Sequence, residues 1–242
     1  MRVLILGGTT EARELAGLLA GEHQVITSLA GRTSAPRRPA GEVRVGGFGG
    51  ADGLAGYLAE RRIEVLVDAT HPFAATMTGH AVAAGAAAGV PVMILRRPGW
   101  TASPGDVWHR VASLAEAAAV LPGLGRRVFL TTGRQGIGAF AGLDECWFLA
   151  RSVEPPAPPV PRRLEVLLDR GPFTVAGERE LLTRHRIDVL VSKDSGGSDA
   201  KLVAARELGV PVLLVDRPPV PAAATVTGAE AAAEWIRQRS AR

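Results

Sequence analysis

The sequence predicts an α/β protein of two domains, each built on a parallel β-sheet, and three observations carry that prediction. Short Val/Ile/Leu runs alternate with alanine-rich segments of helical length, as expected of strands buried on both faces by crossover helices. The first run, Val3-Leu4-Ile5-Leu6, passes directly into Gly7-Gly8-Thr9-Thr10 and then a helical segment. Lastly, the two halves repeat. Arg62-Ile63-Glu64-Val65-Leu66-Val67-Asp68 resembles Arg186-Ile187-Asp188-Val189-Leu190-Val191-Ser192, and Gly89-Val90-Pro91-Val92 resembles Gly209-Val210-Pro211-Val212. The opening at 3–8 parallels Val128-Phe129-Leu130-Thr131-Thr132-Gly133, so three matches share one order and nearly one spacing.

Taken along the chain, the first copy has strands at 3–6, 24–28, 43–45, 62–68 and 90–95, with helices at 11–20 and 74–88. The second has strands at 128–132, 148–150, 173–175, 186–192 and 210–215, with helices at 136–142 and 198–208. Segments 108–121 and 229–239 read as closing helices, and a terminal element of one copy is free to pack on the other. The proline-rich stretch 154–161 reads as a stiff exposed connection. These elements give a first domain over 1–98, a connecting and closing segment over 99–124 and a second domain over 125–242. Open parallel sheets bind ligands at the carboxyl ends of their strands, so the expected architecture is two Rossmann-like domains with an active-site cleft between them.

Composition excludes several classes. With 47% hydrophobic and 21% charged residues the chain is an ordinary globular one, not a disordered one. Its single cysteine, Cys146, rules out an intrachain disulfide framework and a cysteine-rich zinc site. No signal-like apolar segment opens the chain and no apolar run spans a bilayer, which points to a cytoplasmic enzyme with no membrane partner. The net charge of +4 comes from scattered arginines with few aromatics, so nucleic acid is not the expected partner. The five histidines lack metal-ligand spacing, and Gly-x-Ser-x-Gly and a Walker lysine are both absent. A dinucleotide cradle without a nucleophile or metal leaves hydride transfer as the economical chemistry.

The cradle is the run Gly7, Gly8, Thr9, Thr10, Glu11, Ala12. Against G-x-G-x-x-G/A its first glycine and closing alanine fit, while Thr9 stands at the second glycine. Backbone amides at a helix N-terminus attract a pyrophosphate, and Arg13 follows one turn later. The run at 24–28 ends without an acidic residue to hold an NAD ribose and offers Ser28, Gly31 and Arg32 instead, which favours NADPH. Gly47, Phe48 and Gly49 permit close backbone approach after the third strand. Thr70 and His71, at the end of the fourth, face nicotinamide or substrate. The sequence names no catalytic residue: the proton source is water, a substrate carboxyl, His71 or another cleft residue, and a structural imidazole bonded to backbone is the other reading of His71.

In the second copy the strand-end loops hold Thr132, Gly133, Arg134 and Gln135, then Lys193, Ser195, Gly196, Gly197 and Lys201. Hydroxyls, glycines and cations in this density suit carboxylate or phosphate groups. Both lysines of the chain lie here.

Six motifs in one order then carry a family resemblance: Leu-Gly-Gly-Thr-Thr-Glu-Ala-Arg at 6–13, Asp-Ala-Thr-His-Pro-Phe-Ala at 68–74, Arg-Arg-Pro-Gly-Trp at 96–100, Thr-Gly-Arg-Gln at 132–135, Arg-Gly-Pro-Phe at 170–173 and Ser-Lys-Asp-Ser-Gly-Gly at 192–197. Over nearly its whole length the chain resembles the precorrin-6A reductase family of cobalamin biosynthesis. That resemblance implies NADPH-dependent reduction of a ring-D double bond of a modified tetrapyrrole, giving precorrin-6B. It also implies a polycarboxylate substrate for the basic loops of the second copy, including Arg13 from the first, and handover to neighbouring pathway enzymes. Cobalt-precorrin-6A reductase of the anaerobic route shares the architecture, and no local feature separates the two. A non-catalytic dinucleotide sensor would carry the same cradle. A nucleotide-sugar epimerase would need Tyr-x-x-x-Lys, whereas the only tyrosine, Tyr57, is followed by Glu60 and Arg61.

Overall fold

The computed structural model describes residues 1–31 and 39–240, in two compact units. In chain order the first unit begins with β1 (Arg2–Leu6), α1 (Thr10–Leu19), β2 (Gln24–Leu29), β3 (Glu42–Val45), α2 (Ala51–Glu60), β4 (Val65–Asp68), α3 (Ala75–Ala88) and β5 (Val92–Leu95). The second unit contains β6 (Trp108–Val111), α4 (Leu114–Val120), β7 (Arg127–Leu130), β8 (Trp147–Ser152), β9 (Leu164–Leu168), α5 (Val175–Arg184), β10 (Val189–Lys193), α6 (Ala200–Glu207) and β11 (Val212–Val215). The chain then returns to the first with β12 (Ala224–Val226) and α7 (Ala229–Ser240).

Each unit is a six-stranded parallel sheet, ordered β12-β5-β4-β1-β2-β3 in the first and β6-β11-β10-β7-β8-β9 in the second. Strands of the internal repeat occupy matching places: β1 and β7 lie at the centre, with β4 and β10 beside them. Both units are Rossmann-like, with the strand order reversing between β1 and β4 and between β7 and β10.

Alternation along β1 shows why the strand reads as one apolar run. Val3 and Ile5 pack with Leu15 and Leu19 of α1 and Ile236 of α7, whereas Leu4 and Leu6 pack with Leu54 and Leu58 of α2 and Ala81 and Ala84 of α3. Both faces of the sheet are therefore covered, and each fully buried Leu or Ile contributes about 1.5–3 kcal/mol. In the second unit Phe129, Leu190 and Leu214 play the same part against Leu182 of α5 and Leu202 of α6.

The partition differs from the sequence expectation. The first unit is Met1–Pro98 with Pro218–Arg242, and the second is Gly99–Arg217. Residues 99–124 thus belong wholly to the second unit, and 218–242 belong to the first instead of extending the second. The sixth strand of each sheet explains the exchange: β6, which follows the first copy, pairs with β11, and β12, which follows the second, pairs with β5. Edge pairing uses backbone hydrogen bonds and covers an open sheet edge whichever stretch supplies the strand.

Several elements also differ. Residues 108–111 are strand β6, so only the later part of 108–121 is helical. The expected helix at 136–142 is a 3₁₀ turn, Arg134–Phe140, whose Gly136 and Gly138 weaken an α-helix. Phe173, Thr174 and Val175 form a helix start, in which the Thr174 hydroxyl accepts the Gly177 N–H at 3.1 Å, and the strand lies earlier, at β9. Helices α2 and α5 went unread because Gly53 and Gly56 interrupt the first and the second is largely polar.

Candidate active site

Each unit gathers its strand-end loops at the switch point of its own sheet. In the first, β1 runs into Gly7-Gly8-Thr9 and then α1. A Cβ on Gly7 would lie 2.8 Å from Thr27 Cγ2, so this turn passes too close to β2 for a side chain. Gly8 has φ +116°, and a Cβ there would meet nothing within 4 Å, so the cradle presents bare backbone to open space. Thr9 is the N-cap of α1: its hydroxyl oxygen accepts the Ala12 N–H at 3.1 Å while its O–H donates to the Ala69 carbonyl at 2.8 Å. This explains a threonine at the second-glycine position. It caps the helix and ties the cradle to the end of β4, and the first-turn amides of α1 remain without helical acceptors.

The other first-unit candidates have distinct surroundings. Arg13 Nη2 donates to the Thr10 hydroxyl at 2.9 Å. Asp68, buried at the end of β4, accepts the Thr70 O–H at 2.7 Å and the Thr70 N–H at 3.1 Å, which fixes that loop. His71 Nδ1 accepts the Phe73 N–H at 3.2 Å. Gly31 has φ +70°, and Arg32 lies outside the described residues.

One residue that the sequence reading passed over organises the remainder. Arg44, beside Ser28 in the sheet register, donates to the Ser28 hydroxyl at 3.2 Å and to the carbonyls of Gly46 and Gly47 at 2.6 Å each. Its guanidinium lies 3.9 Å from the centre of the Phe48 ring, which also packs edge-on to Tyr57. Phe48 therefore supports Arg44, and Gly47 and Gly49 are the open positions of the loop. A strand arginine two residues before a glycine run was the available signal.

In the second unit the turn after β7 departs from the cradle. Gly136 packs against Thr132, where a Cβ would sit 2.8 Å from the threonine Cβ, and Thr132 is buried. Gly133 keeps φ +75°, but the turn leads into 3₁₀ geometry instead of an α-helix. Arg134, followed by Gln135, pairs with Glu154. Lys193 ends β10, where burial pushes its ammonium below the ordinary lysine range. In the loop that follows, Ser195 precedes Gly196 and Gly197, both at positive φ, and the Gly197 carbonyl accepts the Trp100 indole N–H at 3.1 Å. The Lys201 ammonium lies 4.4 Å from the centre of the Trp100 ring. Asp194, absent from the sequence candidates, is buried, and its carboxylate accepts from Trp100 N and Arg110 Nη2.

Among the described residues no group of three or more His, Cys, Asp and Glu side chains is placed to hold a metal ion, and no helix is long and apolar enough to cross a membrane. Cys146 is buried, and burial raises its thiol pKa.

Comparison with known proteins adds the decisive observation: the family model for precorrin-6x reductase CbiJ/CobK matches residues 2–237. The chain belongs to the precorrin-6x reductase family. It is 54% identical over 240 residues to a precorrin-6A reductase of Rhodococcus erythropolis, covering 97% of each chain. A cobalt-precorrin-6A reductase of Methanothermobacter thermautotrophicus is 32% identical over 238 residues, which cover 91% of this chain and 78% of that one. Among solved structures, a CobK precorrin-6A reductase superposes with a TM-score of 0.91 at 45% identity, covering 98% of this chain and 96% of that chain.

Proposed function

We propose that the protein is an NADPH-dependent precorrin-6A reductase of cobalamin biosynthesis, with the dinucleotide on its first unit and the tetrapyrrole bound by its second. The observation that carries the division of labour is the difference between two related turns. After β1 the chain offers Gly8, with open space above it, at the start of a ten-residue α-helix, whereas after β7 the matching Gly133, equally open, leads into a 3₁₀ segment with no α-helical N-terminus. Aligned peptide dipoles and the first-turn amides that Thr9 does not cap favour a pyrophosphate at the N-terminus of α1.

In this reading Gly7, Gly8, Thr9, Thr10 and Arg13 hold the pyrophosphate, and Ser28, Gly31 and Arg32 receive the adenosine ribose phosphate. The Gly47, Phe48 and Gly49 loop, braced by Arg44, flanks the ribose, with Thr70 and His71 near the reacting end. NADPH, when bound, supplies a hydride to a carbon of the ring-D double bond. The chain's share is positioning, which supplies much of the rate when reacting atoms are held in near-attack geometry. The proton taken up by the adjacent carbon comes from water, a substrate carboxyl, His71 in its imidazolium form or another residue of the site.

Thr132, Gly133, Arg134, Gln135, Lys193, Ser195, Gly196, Gly197 and Lys201 supply the substrate side. Their cations match a polycarboxylate, and the higher identity to the precorrin-6A than to the cobalt-precorrin-6A reductase supports the metal-free substrate. The test is anaerobic incubation with NADPH and precorrin-6A or its cobalt form, following both the nicotinamide and pigment spectra. Oxidation of NADPH coupled to a change in the metal-free pigment is the expected result. Binding of NADPH with neither pigment changing would favour a sensor instead.

A further inference from the structure

A cavity of about 270 Å³ opens in the second unit over the ends of β7, β8 and β9 and the starts of α5 and α6. It shares Gly133 and Lys201 with the substrate residues above and adds Arg151, Asp169 and Glu178 to them. Arg151 of β8 is its principal cation, with a side chain only 8% exposed. The guanidinium Nη2 donates to Glu178 Oε1 at 2.6 Å, and its plane is held 3.5 Å from the centre of the Phe173 ring. Glu178 is 2% exposed, and its second oxygen, Oε2, has no hydrogen-bond partner.

Two charges taken out of water cost several kcal/mol each, and a pair repays this only when the remaining donors and acceptors are also met. Here the carboxylate is left short: Oε2 is buried without a donor, while among the described residues only Nη2 of Arg151 has a protein acceptor and its other N–H groups open to the cavity. A planar guanidinium fixed by an aromatic face and a carboxylate is already oriented to present its unused N–H groups to one further oxyanion. The charge of the lining limits what that anion is. Arg151, Arg170 and Lys201 against Asp169 and Glu178 leave one net positive charge, enough for a carboxylate but not for a phosphate dianion.

We propose that this cavity is a carboxylate subsite in which Arg151 anchors one acid arm of the tetrapyrrole, with water carried by the arm donating to Glu178 Oε2. The proposal rests on the tetrapyrrole reading above. Glu178 then acts as a positioning residue: it holds the guanidinium and keeps the site too weakly positive to retain free phosphate.

The test pairs two probes, precorrin-6A in turnover and uroporphyrin, a porphyrin polycarboxylate, in binding followed by tryptophan quenching. The main variant is Arg151→Gln/Glu178→Gln, which keeps a neutral pair in place of the ion pair. Arg151→Lys, which keeps the charge but loses the fork, serves if the double variant does not fold. The expected result is a roughly ten- to hundredfold rise in KM for precorrin-6A and in Kd for uroporphyrin, the usual worth of a charge-assisted bond. The change in kcat stays within about twofold and NADPH affinity is unaltered, since neither residue contributes to the cradle. A folded variant with unchanged uroporphyrin affinity and unchanged KM overturns the subsite. If the unmodified protein oxidises no NADPH with precorrin-6A yet its uroporphyrin binding still depends on Arg151, the reductase reading falls and the subsite stands.

Discussion

The carboxylate of Asp194 accepts the backbone N–H of Trp100 at 3.0 Å, tying the point where the chain enters the second unit to the loop that ends β10. The same side chain pairs with Arg110 of β6 at 2.9 Å, and its backbone carbonyl accepts Arg217 Nε at 2.6 Å where the chain leaves the unit. Gly99 is part of this arrangement, because a Cβ there would fall 2.9 Å from an Asp194 oxygen. One buried acid thus holds both crossing segments and the exchanged strand of this sheet.

Asp194→Ala should therefore destabilise the second unit by about 3 kcal/mol, the low end for breaking a buried pair because Arg110 remains half in water. Asp194→Asn, which keeps an acceptor for Trp100, should lose less. Denaturant titration measures the first effect, and hydrogen exchange at Trp100 should report it locally. Equal stability of the alanine variant and the parent would refute the anchoring role.

Thr9→Ala removes both the cap of α1 and the bond to Ala69. It should cost about 1 kcal/mol of stability and weaken NADPH binding, whereas Thr9→Ser should restore most of both. Calorimetric titration of the two variants decides it.

The two cradle glycines should fail differently. Gly7→Ala meets Thr27 and should lose stability by about 1–3 kcal/mol through overpacking. Gly8→Ala places a methyl group on the open face at a φ that side chains rarely adopt, so NADPH affinity should fall at least tenfold beyond any loss of stability. If Gly8→Ala binds NADPH as the parent does, the cofactor is not held at this turn.

Arg44→Met keeps some packing on Phe48 but releases Ser28 and the Gly46 and Gly47 carbonyls. On the proposed reading, in which this loop flanks the cofactor's ribose, the expected outcome is a rise of about tenfold in KM for NADPH with kcat little changed. A fall in kcat at constant KM would place the loop's role elsewhere.

Acid stability should carry a signature of His23, whose two ring nitrogens are buried without partners. Burial lowers its pKa, and the N-terminal ammonium adds to the lowering against Glu22 and Glu64. The unfolded chain, with a histidine near pH ~6.5, then takes up a proton that the folded protein resists. Stability should fall as pH drops below about 6.5 and be fully retained above it. His23→Gln should flatten that part of the curve relative to the parent, and parallel curves would exclude the effect.

The sequence by itself determined the two parallel sheets, their repeat and most of the strand-end loops. A central strand such as β1 or β7 is buried on both faces and must be written as a continuous apolar run, and a turn such as Gly7-Gly8-Thr9 is local chemistry confined to adjacent residues. Tertiary structure alone decided what depends on partners far apart in the chain. Trp108-His109-Arg110-Val111 and Ala224-Thr225-Val226 are short edge strands held by backbone bonds, so no side-chain pattern says which sheet each completes. Arg44 gains its meaning from Ser28, Arg151 from Glu178 and Asp194 from Trp100, each pair separated in sequence and brought together only when the sheets close. A charged residue on a strand reads alike whether it meets water or a buried partner, and the desolvation that separates the two cases exists only in the folded molecule.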